Sequence, residues 1–270
     1  MGTTLTFRVL GCGASPGTPR IGNDWGRCDP REPRNRRRRS SLLVTRTAPG
    51  GATTRVLVDA GPDLREQMLD ARVEWVDAVL ITHAHADHIH GIDDLRAFVI
   101  NRHHLVDIWM DETASKRVRT AFDYCFVTPP GSAYPPILKE HRFHEGQTLT
   151  VNGDGGPITA IPFRQTHGDI DSFGFRFGAV AYSPDVSDFP ATSLPHLAGL
   201  DLWIVDALRW KSHPSHLSVA EASDWIGRMK PKHACLTHLH TDIDYRTLAD
   251  HLPPGVEPAW DGLEFTFDVD

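Results

Sequence analysis

The sequence of 270 residues predicts a single α/β or α+β domain, spanning 1–270 and built on mixed β-sheets. Three observations carry that expectation. Short apolar runs of strand length recur from one end to the other. Helix-period segments are fewer and interleave with them. No fixed-period repeat or low-complexity linker divides the chain, which is long enough to bury a full core.

In chain order, "LTFRVLG", "SLLVT" and "RVLVDA" open as strands, and "DLREQMLDA" follows as a helix. After the strand "DAVLITH", the spacing of Ile92, Leu95, Phe98 and Val99 predicts one helix through "DHIHGIDDLRAFVI". The strand "VDIWM" and the helix "ETASKRVRTAFDYC" come next, then the strands "QTLTV", "ITAIPFRQTH", "FGFRFG", "AVAYSPD" and "LWIVDA". Val219, Ala222, Ile226 and Met229 mark a helix that opens with Ser218 and Glu221, a capping-box pair. "HACLTH" reads as a strand, "DYRTLADHL" as a short late helix and "LEFTFDV" as a last strand.

Composition excludes several function classes. The formal net charge of -7 provides no global basic field for nucleic acid or anionic lipid, "NRRRRSS" being a local exception. No apolar run approaches the ~20 residues of a membrane span. The four cysteines are scattered without a C-x-x-C pair, and no secretory signal is evident, so a cytoplasmic protein is expected. Neither a membrane nor a stable nucleic-acid partner is expected; a homodimer is possible.

Six apolar runs end in a metal-competent residue: Asp59, His83, His167, Asp185, Asp206 and His238. Ligand sites gather beyond strand ends, where loops converge without breaking sheet hydrogen bonds, so the six predict a common rim. "THAHADH" supplies most of the donors. His83 and His85, two apart in extended backbone, point to one side. Asp87 and His88 enter the following helix and turn toward a second position. With His167, Asp185 and His238 the set holds five imidazoles and two carboxylates, too many for a closed four-ligand structural zinc site and suited to two ions. Two-metal sites hold their ions ~3.5–4 Å apart and share a hydroxide. His103, His141, His196 and His251 are isolated and read as ordinary structural histidines.

"THAHADH" resembles the H-x-H-x-D-H signature of the metallo-β-lactamase-fold hydrolases, and the likeness extends over nearly the whole chain. It implies an αββα sandwich of two mixed sheets flanked by helices, with the site at its rim. It also implies two divalent metal ions, zinc or manganese. His83, His85 and His167 would hold one ion; Asp87, His88 and His238 the other; Asp185 would bridge them and Asp59 would orient the signature loop. A carboxylate at 185, where the two-zinc antibiotic-hydrolysing branch commonly has cysteine, speaks against β-lactam hydrolysis.

"HPSHLS" and the opening "LGCGASPGTPRIG" resemble the phosphoribosyl 1,2-cyclic phosphate phosphodiesterases, which are related to tRNase Z. By that resemblance His216 lies near the substrate phosphate, and His216 or Asp87 manages the leaving-group proton. The substrate would be a small phosphate ester or nucleotide-like molecule. Candidate contacts are His213, His216 and Ser218 at a helix mouth, Arg209, Lys211, and Arg38 or Arg39 with Ser40 or Ser41. Relatives often carry C-x-C-x-x-C after "IG" and a late histidine, forming a structural zinc site. Here Asn23, Trp25, Cys28 and Thr241 stand at those positions, so no structural zinc is expected. Competing readings are a tRNase Z-like nuclease, a thioester or lactone hydrolase, and a nucleotide-binding metalloprotein without turnover.

Overall fold

The computed structural model describes residues 2–269. Among the described residues there are fourteen strands: β1 (Thr3–Gly11), β2 (Ser41–Thr47), β3 (Thr53–Val58), β4 (Ala78–Leu80), β5 (Val106–Met110), β6 (Leu138–Arg142), β7 (Leu149–Val151), β8 (Ile158–His167), β9 (Ile170–Phe177), β10 (Val180–Ser183), β11 (Leu202–Asp206), β12 (His233–Thr237), β13 (Val256–Pro258) and β14 (Glu264–Val269). The α-helices are α1 (Leu64–Ala71), α2 (Ala86–Ile89), α3 (Arg96–Arg102), α4 (Glu112–Phe122), α5 (Leu194–Leu197), α6 (Val219–Met229) and α7 (Tyr245–His251). Among the described residues, no helix is long and apolar enough to cross a membrane.

The strands form two seven-stranded sheets, ordered β14-β1-β2-β3-β4-β5-β6 and β13-β12-β11-β10-β9-β8-β7. Each is antiparallel over one part and parallel over the other: β3 to β6 in the first sheet, β10 to β13 in the second. Successive side chains on a strand face opposite ways, and the apolar residues obey that period on both faces. Val56 and Val58 pack between the sheets while Leu57 faces α1 and α3. On β11, Leu202 and Ile204 join the inter-sheet core, and Trp203 and Val205 face α5, α6 and α7. The resulting order is helices, sheet, sheet, helices. A one-residue register slip would exchange these faces.

Two strands have no counterpart in the apolar pattern. β6, "LKEHR", lies at the edge of the first sheet, and β13, "VEP", at the edge of the second. Edge strands are commonly polar or carry proline, so hydrophobic alternation does not reveal them.

The helix expected through "DHIHGIDDLRAFVI" is three pieces: α2, a 3-10 turn at Ile92–Leu95, and α3. Gly91 breaks it. Its amide donates to Ala60 O at 2.8 Å, and a Cβ there would sit 2.0 Å from Gly61 O. The chain turns at Gly91 so that α2 can dock its two site residues against the loop after β3. The capping box at Ser218 and Glu221 forms as the sequence predicts.

Candidate metal centre

The parallel strands place their carboxyl ends on one rim. β3 delivers Asp59, β4 leads into Thr82 and His83, β10 into Asp185, and β12 into His238, while β8 ends at His167. Asp59, Asp185 and His238 all adopt positive φ, at 65°, 48° and 58°. Non-glycine residues adopt that region seldom and at a cost, and here it swings each side chain off its strand end into the rim.

Two groups of donor atoms result, each with its members within 4.8 Å of one another: His83, His85, His167 and Asp185, and His88, Asp185 and His238. Asp185 belongs to both. Asp87 stands beside the second group, its Oδ2 3.4 Å from His88 Nε2. All seven residues named from the sequence therefore meet.

The imidazoles are held from behind. His88 Nδ1 meets Asp59 Oδ2 at 2.7 Å. The same carboxylate accepts the Thr82 amide and hydroxyl, each at 2.8 Å. Because the Thr82 hydroxyl donates to Asp59, its oxygen is left to accept His83 Nδ1–H at 3.0 Å. His167 Nδ1–H donates to Ser215 O at 2.7 Å. In each ring an outward Nδ1–H fixes the tautomer and leaves the Nε2 lone pair facing the centre, the usual arrangement for ligating histidines. His85 presents Nδ1 instead, 3.2 Å from His167 Nε2. His238 Nδ1 lies 3.1 Å from Ser40 Oγ and 3.0 Å from Asp185 Oδ1.

These donors fit divalent cations. His83 Nε2, His88 Nε2, His238 Nε2 and Asp185 Oδ1 are buried and have no hydrogen-bond partner. Leaving such a group unpaired costs about 1–3 kcal/mol, and His83 Nε2 and His88 Nε2 both face the Asp185 carboxylate, at 3.9 and 3.2 Å, so this spot calls for an occupant. Charge leads to the same place. Asp59, Asp87 and Asp185 are buried together, and buried carboxylates require pairing or a metal. Burial pushes His83 well below the usual imidazole range, keeping it a neutral donor.

A further pair lies against this centre. His216 stacks on His238, with ring centroids 4.8 Å apart and 12° between planes, and stands 4.7 Å from His167. Its Nδ1 donates to Asp206 Oδ2 at 2.7 Å, and that oxygen also accepts the Val186 amide. Burial disfavours the imidazolium, but the Asp206 carboxylate outweighs it and raises His216 to about 9. Asp206 lies within the "LWIV" run noted in the sequence, yet only the fold shows that it serves His216. Ser15, whose hydroxyl donates to Asp87 Oδ2 at 2.7 Å, carries no sequence signal of its role.

Several expected substrate contacts have other duties. Ser218 uses its hydroxyl to accept the Glu221 amide, and its own amide donates to Glu221, so the α6 mouth is closed by its own cap. Ser40 binds Gly13 O and His238, and Ser41 binds Val58 O and Asp59 O. Arg38 pairs with Asp70, and Arg39 with Asp63 at 3.0 Å. Arg209 folds back onto the carbonyls of Lys211 and Ser212, while Lys211 itself is exposed. His213 contacts Ser215 and lies 5.2 Å from the His216 ring.

The loop from Asn23 to Arg37 is clasped by hydrogen bonds. Cys28 Sγ donates to the carbonyls of Ile243 and Thr241, at 3.2 and 3.5 Å. Asn35 Nδ2 donates to Asp244 at 2.6 Å, and its Oδ1 accepts the Tyr245 amide at 2.7 Å and Arg37 at 3.1 Å. Asn23 accepts the Trp25 indole at 3.1 Å.

The model of the β-lactamase superfamily domain matches residues 54–239, more than half of the chain and all seven donors. The chain belongs to the metallo-β-lactamase superfamily. A candidate metal-binding cluster lies at the rim of its sandwich. Within the superfamily the chain is similar to the crystal structure of a diphosphatase from the PhnP family, at 34% identity and a TM-score of 0.87, over 99% of this chain and 98% of that one. A Porphyromonas gingivalis (strain ATCC BAA-308 / W83) protein named octanoyltransferase is 32% identical over 96% of this chain and 51% of its own length. A Bradyrhizobium sp. (strain ORS 278) ribonuclease Z is 32% identical over 46% of this chain and 40% of its own. The chain thus spans about half the length, or less, of these curated relatives.

Proposed function

We propose that this metallo-β-lactamase-fold hydrolase is a two-metal phosphodiesterase that opens a small cyclic phosphodiester of the phosphoribosyl 1,2-cyclic phosphate type. His83, His85 and His167 would hold one ion and Asp87, His88 and His238 the other, with Asp185 between them. Their mix of imidazole and carboxylate suits zinc and admits manganese. Divalent ions so held supply water activation near neutral pH and neutralise charge on phosphoryl oxygens.

The observation that carries the reading is the Asp206–His216 pair stacked against His238. Opening a cyclic phosphodiester expels an alkoxide, which needs a proton as the bond breaks. Asp206 fixes His216 Nδ1–H and the ring's orientation, so Nε2–H is the proton available to the leaving oxygen. A thiolate, whose conjugate acid has a pKa of about 8.5, leaves without such help. The acid therefore favours an oxygen ester.

The PhnP-family likeness supports the same substrate class. Similarity to the ribonuclease Z reaches less than half of this chain, and the net charge of -7 lacks the basic surface of an RNA-gripping enzyme. The relative named octanoyltransferase makes acyl thioester chemistry the second reading. A metal-loaded panel of ribose cyclic phosphates, bis-p-nitrophenyl phosphate, precursor tRNA and octanoyl thioester separates these. Preferred turnover of the thioester, or of the RNA, would replace the proposal.

A further inference from the structure

Two clefts open from the metal centre. One, of about 820 Å³, runs from His83 and His85 along α4, which contributes Lys116 and Arg117, and is also lined by Asp169 from the β8–β9 turn and by Ile170 and Phe173 from β9. The other, of about 520 Å³, runs from Ser15 and Asp87 to Arg20 and Arg39. Both volumes suit a small ligand.

Four cations line these clefts, and three are already neutralised. Arg20 pairs with Asp24, Arg39 with Asp63 at 3.0 Å, and Lys116 with Glu112 at 3.1 Å. Arg117 is exposed and has neither an ion-pair nor a hydrogen-bond partner among the described residues. The carboxylates on the same cleft divide in the same way. Asp111 is spent capping α4 through the amides of Thr113 and Ala114, and Asp171 pairs with Arg164 at 3.5 Å. Asp169 has no cation partner among the described residues.

Arg117 and Asp169, both without an ionic partner among the described residues, line the same cleft as His83 and His85, and such a lining describes a site for a molecule carrying both an anionic group and hydroxyls. Guanidinium matches phosphate through paired N–H donors, and carboxylates accept from sugar hydroxyls. We infer that Arg117 is the specificity-determining residue of the larger cleft, binding a phosphate monoester carried on the same sugar as the scissile diester, with Asp169 accepting a sugar hydroxyl. This rests on the phosphodiesterase reading above. An unpaired surface arginine is ordinarily just solvated; its place beside the donor cluster is what singles this one out.

The test compares kcat/KM for ribose 1,2-cyclic phosphate with and without a 5-phosphate, in metal-loaded wild type, Arg117→Ala, Arg117→Lys and Arg39→Ala. The expected result is that Arg117→Ala lowers the preference for the 5-phosphorylated ester at least tenfold, mainly through KM, and that Arg117→Lys restores part of it. A preference within twofold of wild type, or one lost in Arg39→Ala instead, overturns the assignment. Calorimetric titration of ribose 5-phosphate into the same metal-loaded proteins decides the subsite even if no diester is turned over. Arg117→Ala should bind it at least tenfold more weakly than wild type, and equal binding overturns the inference. Absence of diester turnover alongside the expected binding loss would sink only the functional reading.

Discussion

The rim of the sandwich and the clasp between residues 20–37 and 240–246 are both dense in buried polar groups, yet they resolve that burden in opposite ways. In the clasp, Asn35 alone engages Asp29 O, Asp244, Tyr245 and Arg37, and Cys28 finds two carbonyls. Most of its polar groups are met by protein, with Arg37 Nε and Thr241 Oγ1 as scattered exceptions. At the rim, His83, His88 and His167 are each held by a hydrogen bond on the side away from the centre, to Thr82, Asp59 and Ser215, and the inward His167 Nε2 meets only another imidazole, His85, at 3.2 Å. The inward nitrogens of His83 and His88 make no hydrogen bond, although carboxylates of Asp87 and Asp185 lie beside that of His88. A polar cluster that satisfies itself is structural; one whose polar atoms converge on nothing is a receptor.

That contrast can be broken by experiment. Asp185→Asn tolerates the left-handed backbone and keeps the side-chain shape while removing the shared carboxylate. We expect metal content to fall and phosphodiester turnover to drop about 10³-fold or more, equivalent to about 4 kcal/mol. The thermal midpoint of the metal-free protein should change little. Unaltered metal content would end the view of Asp185 as a common ligand.

Next in size is His216→Ala, for which turnover of an alkoxide ester should fall about 10²–10⁴-fold with metal content retained. The loss should be much smaller for an activated aryl ester, whose leaving group needs no proton. Parallel loss of metal and turnover would count against the acid role. Asp206→Asn should give a lesser loss and shift the pH profile, because it acts only through the imidazole.

The clasp should respond in the reverse sense. Asn35→Ala leaves the Tyr245 amide and Arg37 short of a partner, and is expected to cost about 2–4 kcal/mol in denaturant unfolding without changing metal stoichiometry. Smallest is the effect of Glu32. Hydrogen bonds from Arg34 and Arg246 hold its carboxyl down to about 2. A folded-state pKa below the unfolded value stabilises the protein above the ordinary carboxylate range and loses that contribution as pH falls toward 2. Glu32→Gln should flatten this part of the stability-versus-pH curve; an unchanged curve would show that the pairs contribute nothing.

Much of the donor set was legible because it is local. "THAHADH" puts four donors in six positions, and His167, Asp185 and His238 each end an apolar run that reads as a strand. The supporting groups were less legible. Ser15 reaches Asp87 across 72 positions, and Ser40 reaches His238 across 198. No periodicity joins such pairs. Ser218 misled in the other direction, because a helix mouth reads as an anion site whether or not its own cap closes it.

From the sequence alone came the mixed α/β class of the fold, most strands, the α6 cap and the seven candidate donors, since hydrophobic period and strand-end chemistry are properties of short segments. Tertiary structure alone decided the break at Gly91, the left-handed turns at Asp59, Asp185 and His238, the partnership of Asp206 with His216 and the isolation of Arg117. Each depends on which distant backbone or side chain comes within about 3 Å, and only packing two sheets face to face sets that distance.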